Sequence, residues 1–214
     1  MPKQGLVEIV NIIDRSGSMA SIRDDAIGGF NSFLDDQKKV PGEAKVTLVL
    51  FDHEYLLVHD GVDINDVPNL DEESYIPRGW TALYDAIGRA INTVGERLAN
   101  TPEDERPEEV IVSILTDGEE NHSREFSVDQ VKDMITHQQD NYKWEFIYLA
   151  ANQDAFAVGS SIGIASANTM SFDATGVGIS NAYRSMSTTY TSSRTSGLAP
   201  MNDPQDDPQD AQNP

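Results

Sequence analysis

The chain has 214 residues, 38% of them hydrophobic, which is enough for one domain with a sizeable core. Its 15 basic and 36 acidic residues leave a formal net charge of -21. Such a surface repels phosphate backbones and anionic membranes, so neither nucleic acid nor a membrane is expected as a partner. The absence of cysteine excludes disulfides, thiol nucleophiles and thiolate metal sites.

The first apolar run of the chain is short and contains Glu8, which does not fit a signal peptide. No stretch reaches the roughly 20 apolar residues that a membrane helix requires. We therefore expect a cytoplasmic protein.

Apolar runs and helical spacing alternate along the chain. In chain order they predict a strand at 6–13, a helix at 20–37, strands at 45–51 and 54–59, a helix at 81–100, a strand at 109–116, a helix at 128–141, a strand at 144–150, a helix at 154–162, a strand at 169–172 and a helix at 179–190. The segment 62–78 between them is polar and acidic. Its length predicts a functional surface loop.

This alternation predicts an α/β fold with a doubly wound, mostly parallel central sheet and helices on both faces, as in Rossmann-like proteins. The strand at 54–59 follows a tight turn at Asp52 and His53, so it is expected at one edge, antiparallel to its predecessor. Residues 1–196 are expected to form this domain. Residues 197–214 contain Asp-Pro-Gln-Asp twice, and this composition predicts a disordered acidic tail rich in Pro and Gln.

The stretch Asp14-Arg15-Ser16-Gly17-Ser18 connects the first predicted strand to the first predicted helix. Ligands of open α/β sheets bind at the carboxyl ends of strands. Carboxylate and hydroxyl oxygens suit Mg²⁺ or Mn²⁺ rather than zinc or copper, and Gly17 is expected to supply an unusual backbone angle. The alternative is that Ser18 caps the helix and Asp14 forms a turn.

A second aspartate, Asp117, directly follows the strand at 109–116, and Thr81 starts the predicted helix after the long loop. If the first strand and the strand at 109–116 are neighbours where the strand order reverses, both carboxylates enter one crevice. Together the polar side chains form a candidate all-oxygen metal site: Asp14, Ser16, Ser18, Thr81 and Asp117.

These residues resemble the metal-ion-dependent adhesion site (MIDAS) of the von Willebrand factor type A (vWA) family. All five ligand positions of that motif are matched, and the order of elements agrees from about Leu6 to Tyr190. The compact, cysteine-free form is similar to the bacterial and phage branch, which includes proteins linked to tellurium resistance.

The resemblance implies a metal-dependent protein-binding module rather than an enzyme. It implies that Ser16 and Ser18 bind the ion directly, with Thr81 and the aspartates binding directly or through water. Mg²⁺ is the expected ion, with Mn²⁺ or Ca²⁺ as alternatives. A partner's Asp or Glu would complete the shell, and the segments 62–78 and 119–123 would frame the contact.

Two other classes stay open at this point. Strand-end aspartates with Mg²⁺ also serve phosphoryl-transfer enzymes, although no phosphate-binding Gly-rich loop is present. A structural subunit, such as a phage particle component with a stabilising metal site, is the other. The sequence does not determine the oligomeric state.

Residues beside the motif have two interpretations each. Arg15 either pairs with a partner's carboxylate or is an ordinary surface residue, and Trp80 either packs the loop, which we favour, or anchors an interface. Asp85 either supports the metal site or faces solvent at the start of its helix. Glu119, Glu120 and Asn121 either select partners or belong to a solvated loop.

Overall fold

A computed structural model describes residues 1–151 and 154–196, which form a six-stranded sheet covered by helices on both faces. The strands are β1 (Lys3–Asp14), β2 (Glu43–Phe51), β3 (Tyr55–Asp63), β4 (Pro107–Thr116), β5 (Glu145–Ala151) and β6 (Thr169–Phe172). The helices are α1 (Arg23–Lys39), α2 (Leu83–Asn100), α3 (Val128–Tyr142), α4 (Ala155–Ser161) and α5 (Gly176–Ser196). The predicted tail at 197–214 lies outside the described residues.

The strand order is β3-β2-β1-β4-β5-β6, and only the pairing of β3 with β2 is antiparallel among the described strands. The predicted fold class is thereby confirmed, including the antiparallel edge strand. The central strand β1 is buried from Leu6 to Asp14 on both faces, as expected for a parallel strand between two helical layers.

Each face of the sheet has its own apolar core. Helices α1 and α5 cover one face, where Phe33 of α1 meets Tyr190 of α5 edge to face. Helices α2, α3 and α4 cover the other face. The helical spacing of Ile87, Ile91 and Val94 puts one side of α2 against the strands, and all three side chains are buried.

The first predicted helix begins differently in the structure. A 3-10 helix at Gly17–Ile22 precedes α1, which begins only at Arg23. Met19 and Ile22 are both buried, and their spacing of three matches the three residues per turn of a 3-10 helix.

The segment 62–78 is less open than its polar composition predicted. Ile64, Val67 and Leu70 are buried beside α1, and the Asn31 side chain of α1 hydrogen-bonds both the N–H and the carbonyl of Leu70. Tyr75 is also buried. The residues between these buried positions remain exposed, as do the residues from Asp71 to Ser74.

The chain leaves β1 towards β2 on one side, while β4 pairs with β1 on the other. The strand order reverses at this point, so the connections after β1 and β4 diverge to opposite faces and open a crevice. None of the helices in the described ranges combines the length and apolarity of a membrane span.

Candidate metal centre

The five predicted ligand residues lie at the crevice between β1 and β4. Asp14 ends β1, Asp117 directly follows β4, and Thr81 lies two residues before α2. Asp14, Ser16, Thr81 and Asp117 are at most 3% exposed, whereas Ser18 is exposed.

Hydrogen bonds join the two strand ends. Ser18 Oγ donates to Asp117 Oδ1 at 2.6 Å and lies 3.1 Å from Ser16 Oγ. Asp14 accepts from the Ser16 backbone N–H at Oδ1 and from Thr116 Oγ1 at Oδ2, both at 2.6 Å. These contacts put both carboxylates and both serine hydroxyls in one polar cluster.

The space beside Gly118 shows that Thr81 belongs to this cluster. A Cβ atom placed on Gly118 would lie 3.1 Å from Thr81 Oγ1, 3.4 Å from Ser18 Oγ and 3.8 Å from Ser16 Oγ. All three hydroxyls therefore surround one point, which the missing side chain of Gly118 leaves open.

The electrostatics of the cluster favour a cation. Burial is the main cause that raises the pKa of Asp14 to about 6, and the charge of Asp117 acts in the same direction. Burial likewise raises the pKa of Asp117. No Lys, Arg or His within the described ranges forms an ion pair with either carboxylate. Both buried charges consequently lack a cationic partner from those parts of the chain.

The donor set fits a hard divalent ion. Two carboxylates and three hydroxyls supply only oxygen ligands, as Mg²⁺ and Mn²⁺ prefer. Across residues 1–151 and 154–196, no group of three or more His, Cys, Asp or Glu side chains is placed to hold a metal. A site here therefore depends on its hydroxyl groups.

Backbone hydrogen bonds connect the loops that carry these residues. The Arg78 N–H donates to the Arg15 carbonyl at 2.8 Å, and the Gly17 N–H donates to the Gly79 carbonyl at 3.2 Å. Gly17 is not among the residues with positive φ, contrary to expectation; Gly79 has the left-handed angle instead, with φ of 69°. Gly79 lies against the His53 ring, so a larger residue has neither the backbone angle nor the space there.

The loop after β4 is tied to Thr81. The Asn121 N–H donates to the Thr81 carbonyl, and the Asn121 side-chain oxygen accepts from the Thr81 N–H, each at 3.0 Å. The position of Thr81 is thus set by the same connection that holds Asp117.

Neither interpretation of Arg15 is correct. Its side chain is buried, and Nε lies 3.1 Å from Oδ2 of the fully buried Asp52. Asp52 also accepts from Arg78 Nε at 3.0 Å and from the Glu54 N–H at 2.7 Å. Sequence reasoning assigned Asp52 only to a turn. The available signal was its place directly after the apolar run of β2, the same position that Asp14 and Asp117 have in their strands.

Asp85 and Glu120 have structural contacts that the sequence analysis did not foresee. The carboxylate of Asp85 accepts three backbone N–H groups, from Arg124, Glu125 and Phe126. Glu120 accepts the N–H groups of Tyr84, His122 and Ser123. Both carboxylates brace the connection between β4 and α3. Glu119 remains exposed at the rim.

Trp80 does not pack the loop as expected, because 63% of its surface is exposed. The neighbouring Thr81 is 3% exposed. A large aromatic side chain therefore stands in solvent directly beside the candidate metal site.

Comparison with solved structures identifies the architecture. The von Willebrand factor domain of the type V pili tip protein Mfa5 from Porphyromonas gingivalis superimposes with a TM-score of 0.63 at 11% identity, covering 90% of this chain and 97% of that one. Proximal thread matrix protein 1 from the mussel byssus superimposes with a TM-score of 0.60 at 14% identity. This match covers 92% of this chain and 48% of the mussel chain. A von Willebrand factor type A protein from Catenulispora acidiphila superimposes with a TM-score of 0.56 at 14% identity. This match covers 86% of this chain and 42% of that one.

The class of protein follows from the sheet order and these superpositions. The chain is a doubly wound α/β domain with polar loops at the switch point, and its fold is that of vWA domains. It spans about half the length of the mussel protein, of which another structure has a zinc-occupied MIDAS motif. The sequence matches no protein-family model and no curated protein. Assignment to the bacterial and phage branch, or to tellurium resistance, stays a prediction.

Proposed function

We propose that this chain is a metal-dependent protein-binding module in which Asp14, Ser16, Ser18, Thr81 and Asp117 hold one divalent ion. The observation that carries the proposal is the convergence of the three hydroxyls beside Gly118, next to two buried carboxylates without a cationic partner in the described ranges. The zinc-occupied MIDAS of the mussel protein supports a divalent metal in this fold.

The chemistry that such an ion supplies is electrophilic: bound mainly by neutral hydroxyls, it attracts a carboxylate from a partner's Asp or Glu. The chain's own part is to fix the oxygen ligands. Thr116 and the Ser16 N–H hold Asp14, while Asn121 holds Thr81. Mg²⁺ is the ion we propose, since the ligands are all oxygen.

A binding module accounts for the surroundings better than a phosphoryl-transfer enzyme does. Arg15 and Arg78 are the basic residues of the two loop segments that precede Ser16 and Thr81, and both are paired with Asp52. Neither is left free to hold a transferred phosphoryl group. We propose therefore that the chain is not an enzyme; its cytoplasmic location stays a prediction from the sequence.

The proposal is tested by calorimetric titration with Mg²⁺, Mn²⁺ and Zn²⁺ in separate arms. Ser16→Ala should weaken binding of the preferred ion by at least about tenfold, because it removes a hydroxyl ligand. Ser21→Ala is the matched control, since Ser21 is exposed in the same 3-10 helix and should leave binding unchanged. Equal affinity for wild type, Ser16→Ala and Asp117→Ala would refute the site.

A further inference from the structure

Large exposed apolar side chains are concentrated at the edge of the molecule that carries the candidate metal site. Seven such residues are exposed within the described ranges, and five of them are at the carboxyl ends of the parallel strands: Leu56, Ile76, Trp80, Phe156 and Val177. Leu56 pairs with Leu50 near the end of β2, and Phe156 and Val177 begin the helices that follow β5 and β6. Monomer surfaces that collect apolar residues in this way mark interaction sites.

Two of these residues flank the metal site itself. Trp80 is 63% exposed and directly precedes Thr81, so the Cα atoms of the two residues are about 3.8 Å apart. Ile76 is 53% exposed. It lies two residues before Arg78, whose backbone N–H donates to the Arg15 carbonyl in the metal-site loop. We call Ile76 and Trp80 the apolar rim.

A shallow cleft continues from the rim. It encloses about 360 Å³ and is lined by Ile76 and Pro77 on one side, and on the other by residues between Ala20 and Asp25, where the 3-10 helix passes into α1. This wall begins at Ala20, two residues after Ser18, so the cleft lies beside the loop that carries part of the candidate metal site. An extended segment that binds at the site and continues along this cleft contacts Ile76.

The charges around the cleft restrict what such a segment carries. Arg23, Asp24 and Asp25 carry the charges on its wall; Arg23 pairs with Asp24, which leaves Asp25 as the unpaired acid there among the described residues, and the whole chain has a formal charge of -21. One carboxylate is drawn to the metal site, but further acidic residues meet a repelling surface. An acidic stretch therefore fits poorly.

From this arrangement we infer the kind of partner that the site takes: an extended segment of another protein with one Asp or Glu, an aromatic or aliphatic residue beside it, and no second acid nearby. The apolar residue packs against Ile76 and Trp80, where burial of an aromatic ring adds affinity to the contact with the ion. This inference rests on the proposed function and specifies its partner.

The test uses a phage-displayed library of random twelve-residue peptides. The library is selected on the immobilised 214-residue chain in Mg²⁺, and bound phage are eluted with chelator. Parallel selections use Asp14→Ala, Trp80→Ser and Tyr142→Ser. Tyr142, at the end of α3, is 61% exposed and is the matched control, because it lies far from the carboxyl ends of the strands.

The wild type and Tyr142→Ser should enrich peptides with a single acid next to an aromatic or aliphatic residue. Trp80→Ser should keep the requirement for the acid but lose the apolar preference. For a peptide selected on the wild type, Trp80→Ser should raise the dissociation constant by about tenfold or more. Tyr142→Ser should raise it by less than about twofold. Unchanged melting temperatures would show that both variants fold.

The other outcomes separate this inference from the proposed function. The inference is overturned if chelator-sensitive peptides contain an acid but show no preference for apolar residues, or if Trp80→Ser selects the same apolar preference as the wild type. Either result would still agree with the proposed function. If the same peptides are enriched without Mg²⁺ and on Asp14→Ala, or if no peptide is enriched, the proposed function itself is contradicted. Mg²⁺-dependent self-association that Trp80→Ser abolishes, seen by sedimentation, would assign the rim to a second copy and also overturn the inference.

Discussion

The buried guanidinium of Arg15 lies against the buried carboxylate of Asp52, with Nε 3.1 Å from Oδ2. The contact is an ion pair rather than a directed hydrogen bond. It fixes the second residue of the metal-site loop to the end of β2. Through Arg78 the same carboxylate also holds the segment that precedes Thr81.

Replacing Asp52 should therefore damage both the fold and the site. Asp52→Asn leaves the buried charge of Arg15 uncompensated, and we expect a loss of about 3 kcal/mol in the free energy of unfolding. Denaturant unfolding measures this loss, and calorimetry should show weaker metal binding. Asp60→Asn is the control, because Asp60 is an exposed partner of Arg97, and Arg97 retains its ion pair with Glu8 in this variant. The loss in the free energy of unfolding should be less than about 1 kcal/mol. Equal losses for the two variants would contradict the assigned role of Asp52.

A methyl group on Gly118 should block metal binding without unfolding the protein. In Gly118→Ala the new Cβ would fill the space among the hydroxyls of Thr81, Ser18 and Ser16. We expect metal affinity to fall by at least about tenfold while the melting temperature in chelator stays within about 2 °C of the wild type. Gly95→Ala is the control: its Cβ would meet only Gln138, at 4.0 Å, and helix propensity predicts a small stabilisation. Normal Mg²⁺ affinity in Gly118→Ala would place the ion elsewhere.

Mg²⁺ should stabilise the wild type through preferential binding to the folded state. The melting temperature should rise with Mg²⁺ and return with chelator. In chelator, Asp14→Asn should melt higher than wild type by roughly 5 °C, because one of two buried like charges is gone, and it should no longer respond to Mg²⁺. A lower melting temperature would instead mean that the hydrogen bonds of Asp14 with Thr116 and Ser16 outweigh the cost of its charge.

Stability should decrease as the pH rises because of Glu145, at the start of β5. Burial, followed by the charge of Glu109, raises the pKa of Glu145 from 4.5 to about 7. Tyr190 and Arg194 of α5 are the other titratable groups that face this acidic pair. The raised pKa favours the folded state below about pH 4.5, and this contribution is lost as the pH passes 7.

Glu145→Gln should remove that dependence. Since Glu145 is only half buried, screening reduces its contribution to roughly 1 kcal/mol, or about 2–4 °C in melting temperature. The variant should therefore melt higher than wild type at pH 8 and at nearly the same temperature at pH 4.5. The measurement is a melting series across this range in chelator, and parallel curves for the two proteins would exclude the effect.

The fold was predictable because its signals are local. The apolar run of β1 and the helical spacing of α2 each identify an element from neighbouring residues, and the alternation of elements gives the parallel sheet. Asp14 and Asp117 could be found as site residues since each directly follows such a run. The buried side of the segment 62–78 was not predicted because Ile64, Val67 and Leu70 are isolated among polar residues, although their spacing of three indicates one buried side.

The supporting polar contacts could not be predicted in the same way. Asp85 accepts from backbone N–H groups about 40 positions further along the chain. Asn121 accepts from the N–H of Thr81, 40 positions earlier. Nothing in the local sequence distinguishes these residues from solvated ones, since their partners are brought near only by tertiary packing. Trp80 shows the converse, because an aromatic residue suggests packing but here remains in solvent.

The pairing of β1 with β4 has a consequence for the order of assembly. Ser18 and Asp117 are 99 positions apart, and Asp14 and Thr116 are 102 apart. During synthesis, a nascent chain with only β1, α1, β2 and β3 outside the ribosome has three of the five ligand residues and an unpaired side of its central strand. Contacts of this range form slowly. We therefore expect ion capture to be a late event in biogenesis, one that reports completed pairing of these two strands.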